Sequence, residues 1–290
     1  MNILVSGGGG QLSKSLFEVT KFSKINFIYL PKEKLNIADS RSISKQFNIY
    51  KPTYFINTAA LTNVDFCELY PHQALQINST SIINIINQCI RYNTKLIHIS
   101  SDYLYASSKN IIKQNKTPIP ENIYGYSKLL AEKYITQFYN NASMIIRPSW
   151  LFSPYGKNFI HHVINAYKEK NIFKLYDNIV GSPTSCNSLA VFISNFIESN
   201  SFKNLKINFN QGKLMSRYQF AKKIVNLMEK YVVKDKNFEI VIDKIQKPIA
   251  KRPEKLFLDN SILKKNFKSH YLNCFDNDLE TTIKKIISDK

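Results

Sequence analysis

The sequence has few glycines, few cysteines, one tryptophan and no long hydrophobic run, and each shortage excludes a class of protein. Eight glycines and 10 prolines among 290 residues, without a repeat, exclude a collagen-like or low-complexity chain. No stretch approaches the ~20 apolar residues that a membrane-spanning helix requires. The apolar start MNILV gives way at once to Ser6 and Gly7, which is too short for the core of a signal peptide. We therefore expect a soluble, unexported, cytoplasmic protein.

The cysteines are also too scattered to form a framework. Cys67, Cys89, Cys186 and Cys274 include no CxxC pair, and no histidine stands beside them at metal-ligand spacing. We therefore expect reduced, mostly buried thiols, with neither a disulfide framework nor a metal site.

Acidic residues are scarce relative to basic ones. The chain has 21 Asp+Glu against 40 Lys+Arg, a formal net charge of +19, and a pI of about 9.6. Such a charge is common in nucleic-acid-binding proteins, which is the first alternative class. The lysines are nevertheless spread singly or in pairs, without a dense basic run or an aromatic-interleaved stretch. We expect no nucleic-acid or membrane partner, but a general attraction for anionic, including phosphorylated, ligands.

The first half of the chain alternates short apolar runs with segments of helical periodicity. Continuous apolar strands that alternate with helices are typical of a parallel sheet covered on both faces. The sequence therefore predicts an α/β fold with a doubly wound parallel sheet. The predicted strands are Asn2–Ser6, Ile25–Leu30, Tyr54–Asn57, Lys95–Ser100 and Ser143–Arg147, and the helices between them include Ile82–Tyr92 and Leu129–Phe138.

After Trp150 the alternation is looser. Its pattern predicts helices over Asn158–Lys168, Tyr218–Tyr231 and Leu279–Ile287, and a strand over Phe238–Ile242.

Four of the eight glycines are consecutive and follow the first predicted strand. Gly7 and Gly10 match the first two glycines of a G-x-x-G-x-x-G loop, and Ser13 takes the place of the third. Glycines at such a turn allow backbone N–H groups to approach a pyrophosphate at a helix N-terminus. The alternative is a glycine-rich turn that binds nothing, but the position between a strand and a helix favours a dinucleotide.

The end of the second predicted strand bears on the choice of dinucleotide. An acidic residue there would bind the ribose hydroxyls of NAD and repel the 2′-phosphate of NADP. The chain has Pro31 and Lys32 at this place, followed by Glu33. Lys32 could be an ordinary exposed turn lysine, but the missing acid favours NADPH, with NADH still possible.

A serine, a tyrosine and a lysine form the second motif. Ser101 follows the strand that ends in HIS, and Tyr124 and Lys128 lie one helical turn apart at the start of the next helix. A phenol can protonate a developing alkoxide if a nearby ammonium lowers its pKa from about 10. A serine hydroxyl can hold the carbonyl oxygen, and a nicotinamide can supply the hydride. The motif therefore indicates carbonyl reduction.

These motifs together resemble the dTDP-4-dehydrorhamnose reductase family of extended short-chain dehydrogenase/reductases, within the NAD-dependent epimerase/dehydratase-like superfamily. The resemblance covers nearly the whole chain and implies a Rossmann-type fold with a smaller C-terminal substrate-binding lobe. The motifs that carry it are GGGGQL (7–12), NTAALTNVDFCE (57–68), HISSDYLY (98–105), PENIYGYSKLLAEK (120–133), RPSWLF (147–152), DNIVGSPT (177–184) and AKRPEKLFLD (250–259).

The resemblance implies roles for individual residues. Ser101, Tyr124 and Lys128 would be catalytic, with the last two also contacting the cofactor. The implied cofactor-binding residues are Gly7, Gly10, Gln11, Leu12, Lys32, Asn36, Ile37, Ala59, Ala60, Leu61 and Thr62. The implied substrate-binding residues are Val64, Ser101, Asp102, Tyr103, Trp150, Asn158 and Arg252, of which the last two would approach the diphosphate.

Simpler explanations remain open for several of these residues. Trp150 could be an ordinary core residue, and Val64 and Leu61 could serve packing alone. Asn158 could be only a helix cap, and Arg252 a surface cation.

Two places depart from the family pattern. Some members have a glutamate early in the first helix that contributes to a magnesium-bridged dimer, but Ser15 stands there in this chain. We therefore expect no metal, and a monomer or weak homodimer. The segment Tyr105–Thr117 is rich in lysine and asparagine and lacks the usual glycine and acidic residues. We expect this segment to border the substrate, so that the sugar could differ from the commonest one.

The resemblance implies NADPH-dependent reduction of the C4 keto group of a nucleotide-linked 4-keto-6-deoxy sugar. The ordinary family reaction converts dTDP-4-dehydro-L-rhamnose to dTDP-L-rhamnose for surface polysaccharide. Residues 1–150 would form the NADP-binding domain, joined by segments after 175, and residues 151–290 mainly the nucleotide-sugar lobe. The alternatives are a reductase of another nucleotide-linked keto sugar and a non-catalytic NADP-binding regulatory subunit. The regulatory subunit is disfavoured, because the chain keeps all three of Ser101, Tyr124 and Lys128.

Overall fold

The computed structural model describes residues 1–169, 172–175, 179–199, 202, 204–232, 238–242, 248–267 and 274–288. Its strands are β1 (Asn2–Ser6), β2 (Asn26–Leu30), β3 (Tyr54–Asn57), β4 (Lys95–Ile99), β5 (Ser143–Pro148), β6 (Leu151–Phe152), β7 (Phe173–Leu175), β8 (Val180–Gly181), β9 (Thr184–Ser185), β10 (Leu205–Phe209), β11 (Met215–Ser216) and β12 (Ile240–Ile242). Its α-helices are α1 (Gln11–Thr20), α2 (Ser40–Tyr50), α3 (Val64–Leu69), α4 (Pro71–Leu75), α5 (Ser81–Tyr92), α6 (Ile123–Phe138), α7 (Phe159–Lys168), α8 (Cys186–Glu198), α9 (Arg217–Met228), α10 (Ser261–Asn266) and α11 (Phe275–Ser288).

A six-stranded sheet in the order β10-β5-β4-β3-β1-β2 forms the centre, and all its strand pairs are parallel. The chain passes from β1 outward to β2 and then crosses to β3 on the other side of β1. In open parallel sheets, ligands bind beyond the carboxyl ends of the strands at such a reversal. The predicted doubly wound sheet is confirmed, and its reversal lies at the glycine loop.

Helices cover both faces of this sheet. Successive side chains of a strand point to opposite faces, so each strand contributes to an apolar cluster on either side. Ile3 and Val5 of β1 pack in one apolar cluster with α1 and α8. Leu4, between them, packs in a second cluster with α2, α5 and α6. Both faces are thus buried, which explains why the strands are continuously apolar.

The second half of the chain contributes to two bodies of structure. β10 pairs with β5 at the edge of the central sheet, and α8 packs against α1. α7, α9 and α11 instead surround a third apolar cluster that includes Ile164, Phe220 and Leu279. The boundary at residue 150 between a cofactor domain and a substrate lobe stays a prediction.

Several predicted element bounds are wrong by a few residues. The helix predicted from Leu129 begins at Ile123, because Asn122 caps it by accepting a hydrogen bond from Gly125 N at 2.8 Å. Of the strand predicted over Phe238–Ile242, only Ile240–Ile242 forms β12. The helix predicted to reach Tyr231 ends at Met228.

The described residues contain no helix that is both long and apolar enough to cross a bilayer. Cys67, Cys89 and Cys186 are buried thiols, as expected from their scattered positions.

Candidate active site

Three cavities follow one another along the carboxyl edge of the sheet, with volumes of about 360, 350 and 390 Å³. The edge cavity is lined by Gly7, Gly9, Gly10, Pro31, Lys32, Glu33, Leu35, Asn36, Ile37, Thr58, Ala59, Ala60, Leu61 and Ile77. The central cavity is lined by Gly10, Gln11, Leu12, Thr58, Ala60, Thr62, Val64, Ile99, Ser100, Ser101, Asp102, Tyr103, Tyr124, Lys128, Pro148, Trp150 and Leu151. The outer cavity is lined by Gln11, Thr62, Asn63, Val64, Tyr103, Trp150, Leu151, Phe152, Lys157, Asn158, Phe159, His162, Arg217, Phe220 and Arg252.

The glycine loop leaves no room for side chains at two positions. Gly7 has φ +70°, and a Cβ there would lie 3.0 Å from the Ala59 backbone. A Cβ on Gly8 would lie 2.9 Å from the Leu30 carbonyl carbon, because Gly8 N donates to Leu30 O at 2.9 Å. The loop is thus pressed against the ends of β2 and β3 while Gly10 caps α1. A cradle of this shape, at the N-terminus of a 10-residue helix, fits a pyrophosphate.

Ser13 replaces the third glycine without breaking this arrangement. It is fully buried in α1, and its hydroxyl finds no hydrogen-bond partner among the residues that the structure describes. The helix therefore accommodates the serine at the cost of one unsatisfied hydroxyl.

The Asn78 side chain holds the backbone of Leu61, which lines the edge cavity next to Thr62 of the central cavity. Its side chain accepts from Leu61 N at 2.8 Å and donates to Leu61 O at 2.9 Å and to Ser127 Oγ at 3.0 Å. Asn78 lies in a π-helical turn, Gln76–Thr80, between α4 and α5. Sequence analysis missed this residue, because nothing in the pattern around it indicates a contact with the segment after β3.

Ser101, Tyr124 and Lys128 meet in the central cavity. The hydroxyls of Ser101 and Tyr124 lie close together there, and Lys128 Nζ donates to Ile99 O at 2.6 Å. Ser101 Oγ also accepts from Tyr103 N at 3.2 Å, which fixes the serine at the end of β4. The three residues predicted to be catalytic are thus brought to one place.

The electrostatics of the tyrosine differ from the expectation. From the sequence we expect Lys128 to lower the Tyr124 pKa, but burial raises that pKa above its usual value, opposed by the hydrogen bond with Ser101. Burial also lowers the pKa of Lys128 to about 8, opposed by the nearby Glu132 carboxylate. In this arrangement the effect of burial on the Tyr124 pKa is the larger one, and Tyr124 is a neutral phenol that carries a proton at physiological pH.

Asp102 is a buried carboxyl beside this group. Burial raises its pKa to about 6, against hydrogen bonds from Ser149 and Ser101. Ser149 Oγ donates to Asp102 Oδ2 at 2.6 Å, and Ser101 Oγ to Oδ1 at 3.3 Å. Ser149 is a supporting residue that sequence analysis did not single out.

A buried ion pair lies beneath the site. Arg147 Nε and Nη2 donate to the two carboxylate oxygens of Glu132 at 2.8 and 2.5 Å. Ser100 Oγ donates to the same carboxylate at 2.6 Å, and Arg147 Nη1 donates to Tyr105 Oη at 2.7 Å. This network joins α6, β4 and β5 directly behind Ser101 and Lys128.

Trp150 lies at the boundary of the central and outer cavities. It is only partly buried and has φ 37°, and its ring occupies space that a Cβ on Gly181 would enter at 2.4 Å. Tyr103 lies nearby, with its ring 5.8 Å from that of Tyr124 in an edge-on arrangement. Trp150 is therefore part of the cavity wall rather than of the core, and Val64 lines the same two cavities.

Asn158 and Arg252 line the outer cavity and are both engaged by protein partners. Asn158 caps α7 by accepting from Ile160 N at 3.1 Å, and it donates to Gln11 Oε1 at 3.3 Å. Arg252 forms a two-point ion pair with Asp65, at 2.9 and 2.7 Å.

The lysine- and asparagine-rich segment does not border these cavities. None of residues 105–117 lines them, and Ile112 instead forms a bridge to Leu258 and is fully buried. The expectation that this segment borders the substrate is wrong for the cavities described, because Tyr105 and Ile112 of the segment pack with Leu256 and Leu258.

The fold and the site together define a class: the doubly wound, dinucleotide-type fold of the extended short-chain dehydrogenase/reductases, with its serine, tyrosine and lysine in place. Residues 1–287 match the family model described as the RmlD substrate binding domain. The chain belongs to this family.

Curated relatives carry matching names. A spore coat polysaccharide biosynthesis protein, SpsK, of Bacillus subtilis is 34% identical over 189 residues, which is 65% of this chain and 66% of the relative. A dTDP-4-dehydrorhamnose reductase of Aggregatibacter actinomycetemcomitans is 30% identical over 191 residues, which is 65% of this chain and 64% of the relative. These alignments span just under two thirds of the relatives' lengths.

Solved structures extend the likeness to nearly the whole chain. A dTDP-4-dehydrorhamnose reductase of Clostridium acetobutylicum has a TM-score of 0.87 at 26% identity, covering 98% of this chain and 99% of that one. The enzyme of the same name from Bacillus anthracis, solved in complex with NADP, has a TM-score of 0.85 at 25% identity and covers 98% of each chain. The resemblance and the fold class predicted from sequence are confirmed, and the reductase names agree with the predicted oxidoreductase.

Proposed function

We propose that the protein is an NADPH-dependent reductase of the C4 keto group of a nucleotide-linked 4-keto-6-deoxy sugar. The observation that carries the proposal is the convergence of Ser101, Tyr124 and Lys128 in one cavity that continues into the glycine cradle. Carbonyl reduction requires a proton donor, an oxygen-positioning hydroxyl and a dinucleotide site within one cavity. These residues provide the first two, and the glycine cradle fits the third.

NADPH, when bound, supplies the hydride. The chain would hold it along the edge cavity: Gly7 and Gly10 allow the pyrophosphate to approach, and Lys32 stands where a 2′-phosphate would lie. The remaining residues proposed to line the cofactor are Gln11, Leu12, Asn36, Ile37, Ala59, Ala60, Leu61 and Thr62.

Ser101 would hold the keto oxygen, and Tyr124 would donate its phenolic proton to the alkoxide that forms there. The phenol O–H bond breaks, the proton moves to the sugar oxygen, and the phenolate keeps the electron pair. Because Tyr124 is protonated at physiological pH, it is already in the state that reduction requires. The Ser101 hydrogen bond and the Lys128 ammonium would stabilise the resulting phenolate.

The substrate would occupy the central and outer cavities. Val64, Asp102, Tyr103 and Trp150 surround the space next to Tyr124, which suits a deoxysugar. The outer cavity, with its cations and aromatic rings, suits the nucleotide diphosphate. The relatives' names favour dTDP-4-dehydro-L-rhamnose over other 4-keto sugars. The alternative of a non-catalytic cofactor-binding subunit is disfavoured, because nothing in such a role requires the three side chains to converge.

The test is oxidation of NADPH, followed by absorbance, with a panel of purified 4-keto-6-deoxy nucleotide sugars and the free keto sugar. We expect turnover with dTDP-4-dehydro-L-rhamnose and a far lower kcat/KM for the free sugar, since nucleotide contacts help to orient the keto group. No turnover with any nucleotide sugar, although NADPH binds, would favour the non-catalytic alternative.

A further inference from the structure

The outer cavity is a cationic pocket. Lys157, Arg217 and Arg252 line it, and no carboxylate is among its lining residues in the described part of the chain. An aromatic and cationic wall of this kind suits an anionic ligand. A cation of this wall can attract an anionic ligand strongly only if no protein carboxylate already neutralises its charge.

Arg252 is already neutralised. Its guanidinium makes a two-point ion pair with Asp65, whose pKa is lowered chiefly by that hydrogen bond. A guanidinium held in this way presents little net charge to a ligand, because the paired carboxylate lies beside it.

Arg217 has the opposite environment. Its guanidinium lies 5.1 Å from the Trp150 ring and 5.2 Å from the Phe159 ring, and the Tyr103 side chain lies next to it in the wall of the same cavity. Its Nε is buried without a hydrogen-bond partner, and no carboxylate of the described residues forms an ion pair with it. Burial lowers the pKa of this arginine, which still leaves it charged at neutral pH.

The position of Arg217 is fixed by the helix that it begins. Ser216 and Gln219 form a capping box at the N-terminus of α9, and Arg217 N donates to Ile179 O at 3.1 Å. The aromatic rings on both sides limit the side chain to a few orientations. The guanidinium fork is therefore held in place before any ligand arrives, which lowers the entropy cost of binding.

We propose that Arg217 binds the diphosphate of the nucleotide-sugar substrate and is the principal cation through which this pocket recognises it. The inference rests on the proposed function, since it assumes that a nucleotide sugar occupies the cavity. A planar guanidinium matches two phosphate oxygens at once, and the ligand would supply the negative charge that the protein leaves out. Arg252 would then shape the pocket through Asp65 rather than provide most of the charge.

The arrangement also links recognition to the reacting centre. Arg217 contacts Tyr103, and the Tyr103 ring lies edge-on to that of Tyr124 at 5.8 Å. A diphosphate bound to Arg217 would therefore help to hold Tyr103, the residue against which Tyr124 packs.

The experiment measures binding of dTDP, UDP and GDP, each alone, to the full chain without cofactor. Calorimetry gives the affinity, and fluorescence of Trp150, the single tryptophan, reports from the site. The variants are Arg217→Gln, which removes the charge, and Arg217→Lys, which keeps it without the fork. Lys222→Gln, an exposed lysine on the same helix, is the matched control for the loss of one charge.

We expect Arg217→Gln to weaken binding of the preferred nucleoside diphosphate about ten- to a hundredfold, as for a charge-assisted hydrogen bond. The affinity of Arg217→Lys should fall between those of the wild type and Arg217→Gln. Lys222→Gln should change the affinity less than twofold. NADPH affinity and the thermal unfolding midpoint, measured on the same samples, show that each variant is folded.

Two results separate the inference from the proposed function. If the wild type binds a nucleoside diphosphate and Arg217→Gln binds it equally well, the inference is overturned and the proposed function stands. If the wild type binds none of the three, both are overturned.

Discussion

Tyr124 is a buried phenol, and its environment keeps it in the protonated form that a proton donor needs. Burial raises its pKa, so the proton stays on the oxygen until an alkoxide forms nearby. Burial lowers the pKa of Lys128 to about 8, and its Nζ donates a hydrogen bond to Ile99 O. The residues are thus arranged to give a proton, which is what reduction of a ketone demands.

We expect the cofactor preference to depend on Lys32, which lines the edge cavity beside Pro31. A charge-assisted contact is worth about 1.5 to 3 kcal/mol, so NADPH should exceed NADH in kcat/KM by tenfold or more. Lys32→Glu should erase this preference. Lys34→Glu is the matched control, because Lys34 is exposed two residues away and outside that cavity. Equal or better use of NADH by the wild type would contradict the role of Lys32.

The buried Glu132–Arg147 pair predicts a large stability effect. Glu132→Gln should lower the free energy of unfolding by about 3 to 5 kcal/mol, because it leaves the Arg147 charge buried and unpaired. Urea denaturation measures the change. Glu18→Gln breaks an exposed pair with Lys21 and should cost less than about 1 kcal/mol. Similar costs for the two variants would show that Arg147 finds another partner.

At the residue scale, sequence motifs indicated the reacting groups but not their surroundings. Tyr124 and Lys128 share a helix, so their spacing alone predicts their proximity. Ser149 and Arg217 contact Asp102 and Tyr103 across long separations in the chain, and no local spacing reports such contacts. The burial that raises the Tyr124 pKa could not be read from the motif either.

At the scale of elements, the start of α6 places the proton donor. Asn122 caps this helix and donates to Lys251 O at 2.8 Å, which ties the helix to the C-terminal part of the chain. Gly125 lets the first turn approach the Asp102–Leu104 turn, because a Cβ on it would lie 2.1 Å from Tyr103 O.

Gly125→Ala tests this close approach. A helical Gly→Ala change ordinarily stabilises a protein by about 0.5 to 1 kcal/mol. Here it should destabilise by about 1 to 3 kcal/mol and reduce turnover, because the first turn must move away from Tyr103. Thermal unfolding and initial rates measure both effects. Tyr126→Ala, at an exposed position of the same turn, should retain stability and turnover. A stabilised, fully active Gly125→Ala would contradict the packing described.

The sequence predicted the strands of the first half well, because each is a continuous apolar run between turns. It did not indicate that β10 would join the central sheet. β10 pairs with β5, about sixty residues earlier in the chain, and its five residues carry no signal for a particular neighbour. Placement of such a strand depends on tertiary contacts with α8 and β5.

At the scale of the whole molecule, net charge leaves several partner classes open, whereas topology indicates where ligands would bind. The excess of lysine admits a nucleic-acid partner on composition alone. The parallel sheet instead collects the glycine cradle, the three reacting residues and a cationic pocket along one edge. This shared edge is the reason that we propose a dinucleotide and a nucleotide sugar as the two ligands.

The most direct test follows the transferred hydrogen. Wild type and Tyr124→Phe are each incubated with NADPH carrying deuterium at the transferring C4 position and with dTDP-4-dehydro-L-rhamnose, and the product is examined by mass spectrometry and NMR. We predict deuterium at C4 of the sugar with the wild type, and a rate about 10²- to 10⁴-fold lower with Tyr124→Phe while NADPH still binds. Product without deuterium at C4 would contradict hydride transfer from NADPH to the C4 ketone, and a variant that keeps more than about a tenth of the wild-type rate would contradict proton donation by Tyr124.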